Sequence, residues 1–183
     1  MKELSLNILD ITENSVKAKA SLVEITLTET DERLIIAISD NGVGMTESTR
    51  LSVIDPFYTT RTTRKVGLGI PLFKFAAEQT GGGIEIRSRH IDSHPDDHGT
   101  DISATFYKNH IDFTPLGDIG STLVTLIQGH PDTDFCYRHI YGDKLVTLDT
   151  REMRAILEDT PLCSIEVLVW IRENIGEQYS VFY

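Results

Sequence analysis

The chain has 183 residues, 40% of them hydrophobic, enough for one ordinary domain with or without a small addition. Its formal net charge of -11 argues against a nucleic-acid partner, because phosphate binding over an extended surface needs clustered Lys and Arg. No window of about 18 apolar residues occurs, so no membrane span is expected, and MKELSLNILD carries acids inside its apolar run, unlike a secretory signal. Cys136 and Cys163 lack metal-like spacing and read as apolar thiols, which leaves a cytoplasmic protein as the expectation.

Residues 2–19 have helical periodicity, with Leu4, Ile8, Ile11, Ser15 and Ala18 on one side and Asp10, Asn14 and Lys17 on another. Next, LVEITLTE alternates apolar and polar residues at period two. RLIIAIS is a more continuously apolar strand, and Thr30, Asp31 and Glu32 between the two fit a hairpin turn. That strand runs into DNGVGM. TESTRLSVI follows as a short helix with Thr46 as its N-cap. DPFYTTRTTRKV has no period and reads as a loop, and GLGIPLFKFAAEQT as glycines leading into a helix with Pro71 in its first turn. GGGIEIRSR and TDISATFY alternate as two more strands around the polar turn HIDSHPDDHG. Pro95 breaks any helix that would align His90, His94 and His98, so these read as surface residues.

After about residue 112 the texture changes. FTPLGDIG resembles a linker, and STLVTLIQG fits either a helix or a strand. DFCYRHI and KLVTLDT flank YGD as a hairpin, and REMRAILED and SIEVLVWIREN read as helices. The expectation is a two-layer α/β (α+β) sandwich over residues 1–112, its mixed sheet covered by helices on one face, with a small α+β extension over 113–183. Trp170, Tyr137 and Tyr141 of that extension fit an interface, or merely added packing layers.

Three stretches carry chemistry. In DNGVGM, Asp40 at a strand end is an acceptor suited to an exocyclic amine such as adenine N6, and Gly42 and Gly44 allow close backbone approach. A plain Asn-Gly turn satisfies the same letters. In GLGI, Gly67 and Gly69 precede a helix whose N–H groups can face an anion. The basic loop before it, with Arg61, Arg64 and Lys65, fits a lid. On the opening helix, Asp10, Asn14 and Lys17 lie within about 60° of one another on the helical wheel. Asn offers a neutral oxygen to Mg²⁺, Lys a point charge to phosphate, and Asp can orient or deprotonate a nucleophile. A solvated face fits that helix too.

Taken together, these stretches resemble the ATP-binding domain shared by gyrase B, heat-shock chaperone ATPases, sensor histidine kinases and mismatch-repair MutL, the Bergerat or GHKL fold. LDITENSVKAKA resembles its N box, DNGVGM its G1 box, DPFYTTR its F box, GLGIPLFKFAAEQTGG its G2 box and DHGTDISATF its closing strand. The likeness is nearest to histidine kinases. It implies Asn14 as Mg²⁺ ligand and Lys17 as phosphate contact. Asp40 would bind adenine N6 with Thr100 assisting through water, and Gly42, Gly44 and Met45 would line the adenine pocket. Gly67, Leu68 and Gly69 would meet the phosphates, as would Arg61 and Lys65 of a lid over 55–66. Asp10 stands where ATP-hydrolysing branches place a general-base glutamate, one methylene shorter, which implies slow hydrolysis; Glu13 reads as a bystander.

Histidine kinases carry a phosphoacceptor hairpin upstream of this domain, whereas this sequence begins at the N-box helix. The resemblance therefore implies a protein acting on a separate partner. It fits a stand-alone kinase like the anti-sigma-factor kinases, an ATP-responsive binding module with little chemistry, or a histidine-kinase catalytic domain acting in trans. A homodimer is compatible with each.

Overall fold

The computed structural model describes residues 3–54 and 68–182. Helix α1 (Leu4–Lys17) buries Leu4, Ile8 and Ile11, the stripe its periodicity marks. It stops at Lys19, whose φ of 63° turns the chain left-handed while its N–H donates to the Val16 carbonyl. Strands β1 (Leu22–Glu29) and β2 (Arg33–Asp40) pair antiparallel with Ile25 opposite Ile38. Helix α2 (Glu47–Ser52) is capped by Thr46, whose hydroxyl accepts the Thr49 N–H. Helix α3 (Gly69–Gln79) leads into β3 (Gly83–Arg89) and β4 (Gly99–Tyr107). This is the element order expected from the sequence.

The segment after residue 112 builds α4 (Ile119–Gly129), β5 (Asp134–Tyr141), β6 (Lys144–Asp149), α5 (Thr150–Leu157) and α6 (Ile165–Ser180). The ambiguous STLVTLIQG is helical because Ile119, Leu123, Leu126 and Ile127 share one buried side. Strand β5 pairs parallel with β1, placing Leu22 opposite Asp134, so one six-stranded sheet runs β3-β4-β2-β1-β5-β6. All other pairings are antiparallel.

Register fixes where the core lies. Ile102, Ile38, Ile25, Tyr137 and Leu148 stand opposite one another across five strands and are all buried. Against that face pack Ile8 of α1, Phe73 of α3, Leu123 of α4 and Ile171 of α6. The alternate residues, such as Thr26, Ala37 and Ser103, stay partly exposed on the other face. The architecture is the α+β sandwich with helices on one side.

Two features secure the added strands. Glu29 at the end of β1 accepts from His139 Nε2 at 2.8 Å and from Lys108 Nζ at 2.6 Å, and His139 Nδ1 lies 2.7 Å from the Tyr179 hydroxyl of α6. Tyr137 lies 2.6 Å from that same hydroxyl. Burial pushes the Tyr179 phenol well above its usual range, with the bond to Tyr137 acting the other way. At the sheet edge, Thr147 N–H donates to Gln178 Oε1 (2.8 Å) and Gln178 Nε2 donates to Thr147 O (3.1 Å), so a side-chain amide occupies the place of a further strand. Cys136 is buried and Cys163 half-buried; neither is in a disulfide. No described helix is long and apolar enough to cross a membrane.

Candidate functional site

The three chemistry-bearing stretches converge at one end of the sheet. Asp40 ends β2, and its carboxylate is fixed from two sides. Ser15 Oγ of α1 donates to Oδ2 at 2.6 Å, and Gly42 N–H donates to Oδ1 at 2.9 Å. A carboxylate accepts about four hydrogen bonds, so these two orient the group and leave capacity for an incoming donor.

The loop after Asp40 is clasped along its length. Val43 N–H donates to Ala18 O at the end of α1, and Ile91 N–H donates to Val43 O. Met45 N–H donates to Ser88 Oγ at 2.7 Å. Gly44 has φ of +68°, and a Cβ there would lie 2.1 Å from the Arg89 carbonyl oxygen, so position 44 admits only glycine without rearrangement. Asn41 turns outward to bind the backbone N–H groups of Ser21 and Leu22, joining this loop to the start of β1.

Thr100 pairs with Asp40 across β2 and β4 and is buried. Ser88 donates to Gly99 O at 3.0 Å, so in the 2.8 Å contact between the two hydroxyls Thr100 is the donor. Its oxygen retains acceptor capacity beside Asp40. Ser88 thus organises both Met45 and Thr100, a role no local signal in GGGIEIRSR announces. His98, read from sequence as a surface residue, is half-buried instead, with Nδ1 2.6 Å from the Gly42 carbonyl. A carbonyl only accepts, so Nδ1 carries the hydrogen.

The phosphate-type elements meet on the neighbouring side. Gly69 opens α3 directly against α1: a Cβ at this position would lie 3.4 Å from Asn14 Nδ2 and 3.6 Å from Asp10 Cβ. Leu68 at the N-cap is exposed and its side chain makes no cap hydrogen bond. The start of α3 therefore lies beside the Asn14 amide, and a helix start offers backbone N–H groups to anions. Asp10 and Lys17 are exposed and Asn14 is half-buried. Arg61, Arg64, Lys65 and Gly67, with the expected lid, lie outside the described residues.

Glu13, read from sequence as a bystander, makes two ion pairs. It pairs with Lys17 Nζ at 3.3 Å and with His130 Nε2, at the C-terminal cap of α4, at 2.7 Å. Partial burial raises its carboxyl, but the bonds to His130 and Lys17 outweigh this and hold it below the usual range. Sequence reasoning missed His130 because it lies 117 residues away.

Comparison with known proteins bears on the fold and the family. The family model described as histidine kinase-, DNA gyrase B-, and HSP90-like ATPase matches residues 2–110. Nitrogen regulation protein NtrY of Azorhizobium caulinodans is 34% identical over 64 residues, 35% of this chain and 8% of that protein. Signal transduction histidine-protein kinase AtoS of Escherichia coli is 31% identical over 88 residues, 48% of this chain and 14% of that protein. The chain thus matches only a small part of these much longer relatives. Among solved structures, the ADP-complexed ATPase domain of Aquifex aeolicus MutL superposes with a TM-score of 0.56 at 13% identity. That match covers 97% of this chain and 70% of the other. The N-terminal domain of a DNA repair protein gives 0.59 at 16% identity, over 81% and 53%. These two likenesses concern the fold. With the family model spanning more than half of the sequence, the chain belongs to the histidine kinase-, DNA gyrase B- and HSP90-like ATPases.

Proposed function

We propose that this protein binds Mg-ATP at the end of the sheet and passes its γ-phosphoryl group to a separate signalling protein. The observation that supports the reading is how closely the start of α3 approaches α1: a Cβ at Gly69 would lie 3.4 Å from Asn14 Nδ2 and 3.6 Å from Asp10 Cβ, so a helix N-terminus stands beside the turn of α1 that carries both residues. Asp40 receives the adenine N6 amine, with Thr100 assisting through water, and Gly42, Gly44 and Met45 form the wall beside the base. Asn14 ligates Mg²⁺ through its side-chain oxygen. Lys17, the Gly67–Gly69 backbone, Arg61 and Lys65 engage the phosphates, residues 55–66 acting as the lid. When bound, the metal neutralises developing phosphate charge. In transfer, the acceptor oxygen bonds to the γ-phosphorus as the bond to the β–γ bridging oxygen breaks, and Asp10 takes the acceptor's proton.

A second reading, an ATP-dependent switch with little chemistry, is favoured by the Glu13–His130 bond, which ties the nucleotide-site helix to the C-terminal segment. Two experiments test these readings. Calorimetric titration of Mg-ATP is expected to show binding by wild type and a large loss for Asp40→Asn; equal binding would overturn the adenine assignment. Incubation with labelled ATP and candidate partner proteins then separates the readings. Label on a partner supports transfer, whereas tight binding without label supports the switch.

A further inference from the structure

Glu13 makes two contacts that divide its carboxylate. One oxygen holds Lys17 at 3.3 Å, and the other accepts from His130 at 2.7 Å. An ionised carboxylate only accepts, so His130 Nε2 carries the hydrogen of that bond. The imidazole is presented from a fixed backbone: His130 N–H donates to Leu126 O at 3.0 Å, and its carbonyl accepts from Thr133 N–H at 3.1 Å. Lys17 is the most exposed member, with 53% of its side chain exposed against 25% for His130 and 31% for Glu13.

We infer that Glu13 and His130 are positioning residues for the nucleotide's phosphates. His130 retains Glu13 so that Lys17 can exchange its carboxylate partner for phosphate. The inference rests on the proposed role of Lys17 as a phosphate contact. Lys17 cannot serve Glu13 and a polyphosphate equally, and an abandoned Glu13 would be an unpaired negative charge facing an anionic ligand. A second donor already bound to Glu13 lowers the cost of that exchange. The donor comes from α4, so the C-terminal segment takes part in nucleotide affinity while touching no nucleotide atom.

The test compares the affinities of ATP, ADP and adenosine, each titrated with Mg²⁺ into the whole chain. His130→Ala is expected to weaken ATP about two- to fivefold, the worth of a partly exposed ion pair, to weaken ADP less, and to leave adenosine unchanged. His130→Gln, which keeps an N–H donor, is expected to restore much of the loss. In a Lys17→Ala background the His130→Ala effect is expected to vanish. Thermal melts confirm that each variant folds, and if His130→Ala does not, the comparison rests on His130→Phe and Glu13→Gln. In that case His130→Phe is expected to weaken ATP but not adenosine, and Glu13→Gln to remove the selective effect. Equal weakening of ATP and adenosine, no change at all, or a loss that persists without Lys17 would overturn the inference while leaving ATP binding intact. Failure of the wild-type chain to bind ATP would overturn the proposed function itself.

Discussion

Ser15 Oγ lies 2.6 Å from Asp40 Oδ2, joining the last turn of α1 to the end of β2 across 25 residues of sequence. Read separately, Ser15 falls on the buried side of its helix and Asp40 is an acceptor that opens a glycine turn, with nothing in the sequence linking the two. Their bond aims the carboxylate. Ser15→Ala removes one of its two described donors, and nucleotide binding is expected to weaken by about 1 kcal/mol, or about fivefold in Kd. Calorimetric titration with a parallel thermal melt checks this. An affinity unchanged in a stably folded variant would show that Asp40 is oriented without the serine.

Gly44→Ala is expected to destabilise the fold by about 2 kcal/mol or more, since the added methyl meets the Arg89 carbonyl in a left-handed conformation. Urea denaturation measures it. Because β2 and the β3–β4 turn both hold this loop, the loss should appear as lower stability as well as weaker ligand binding.

His139 is fully buried between Glu29 and Tyr179. His139→Phe fills the space but leaves a buried carboxylate without that partner, and about 3 kcal/mol of stability is expected to be lost. Denaturation of the whole chain reads this directly. A cost near zero would mean that the remaining partners of Glu29, Lys108 among them, suffice.

Gln178 covers the outer edge of β6. Its replacement by Ala is expected to leave the monomer folded but expose the Thr147 N–H and C=O, promoting self-association at high concentration. Light scattering after size-exclusion chromatography distinguishes this from simple unfolding.

Acid stability follows from the helix caps. The Ser121 N–H and then its hydroxyl hold the Asp118 carboxyl below its ordinary value of 3.8, with Arg172 adding a smaller push. The folded value is the lower one, so the stabilisation is fully present above the unfolded value and disappears as pH falls through the folded one. Thermal melts between about pH 5 and pH 2 are expected to show a falling Tm, with a gap between wild type and Asp118→Asn that closes at the acid end. A constant gap would exclude the ionised cap as the cause.

The sequence by itself determined the elements and their order, the helix or strand state of STLVTLIQG excepted, because hydrophobic period, caps and glycines act over a few residues. Leu4, Ile8 and Ile11 mark α1, and the DNGVGM and GLGI stretches mark the ligand-type turns, since each constraint there is local backbone geometry. The tertiary structure alone decided what those turns face. Ser88 reaches Met45 across 43 residues, and His130 reaches Glu13 across 117. It likewise decided that β5 joins β1 in parallel, through a register that no period within DFCYRHI encodes. Hydrogen bonds between distant side chains depend on where packing brings the backbone, and single-chain periodicity carries no record of that placement.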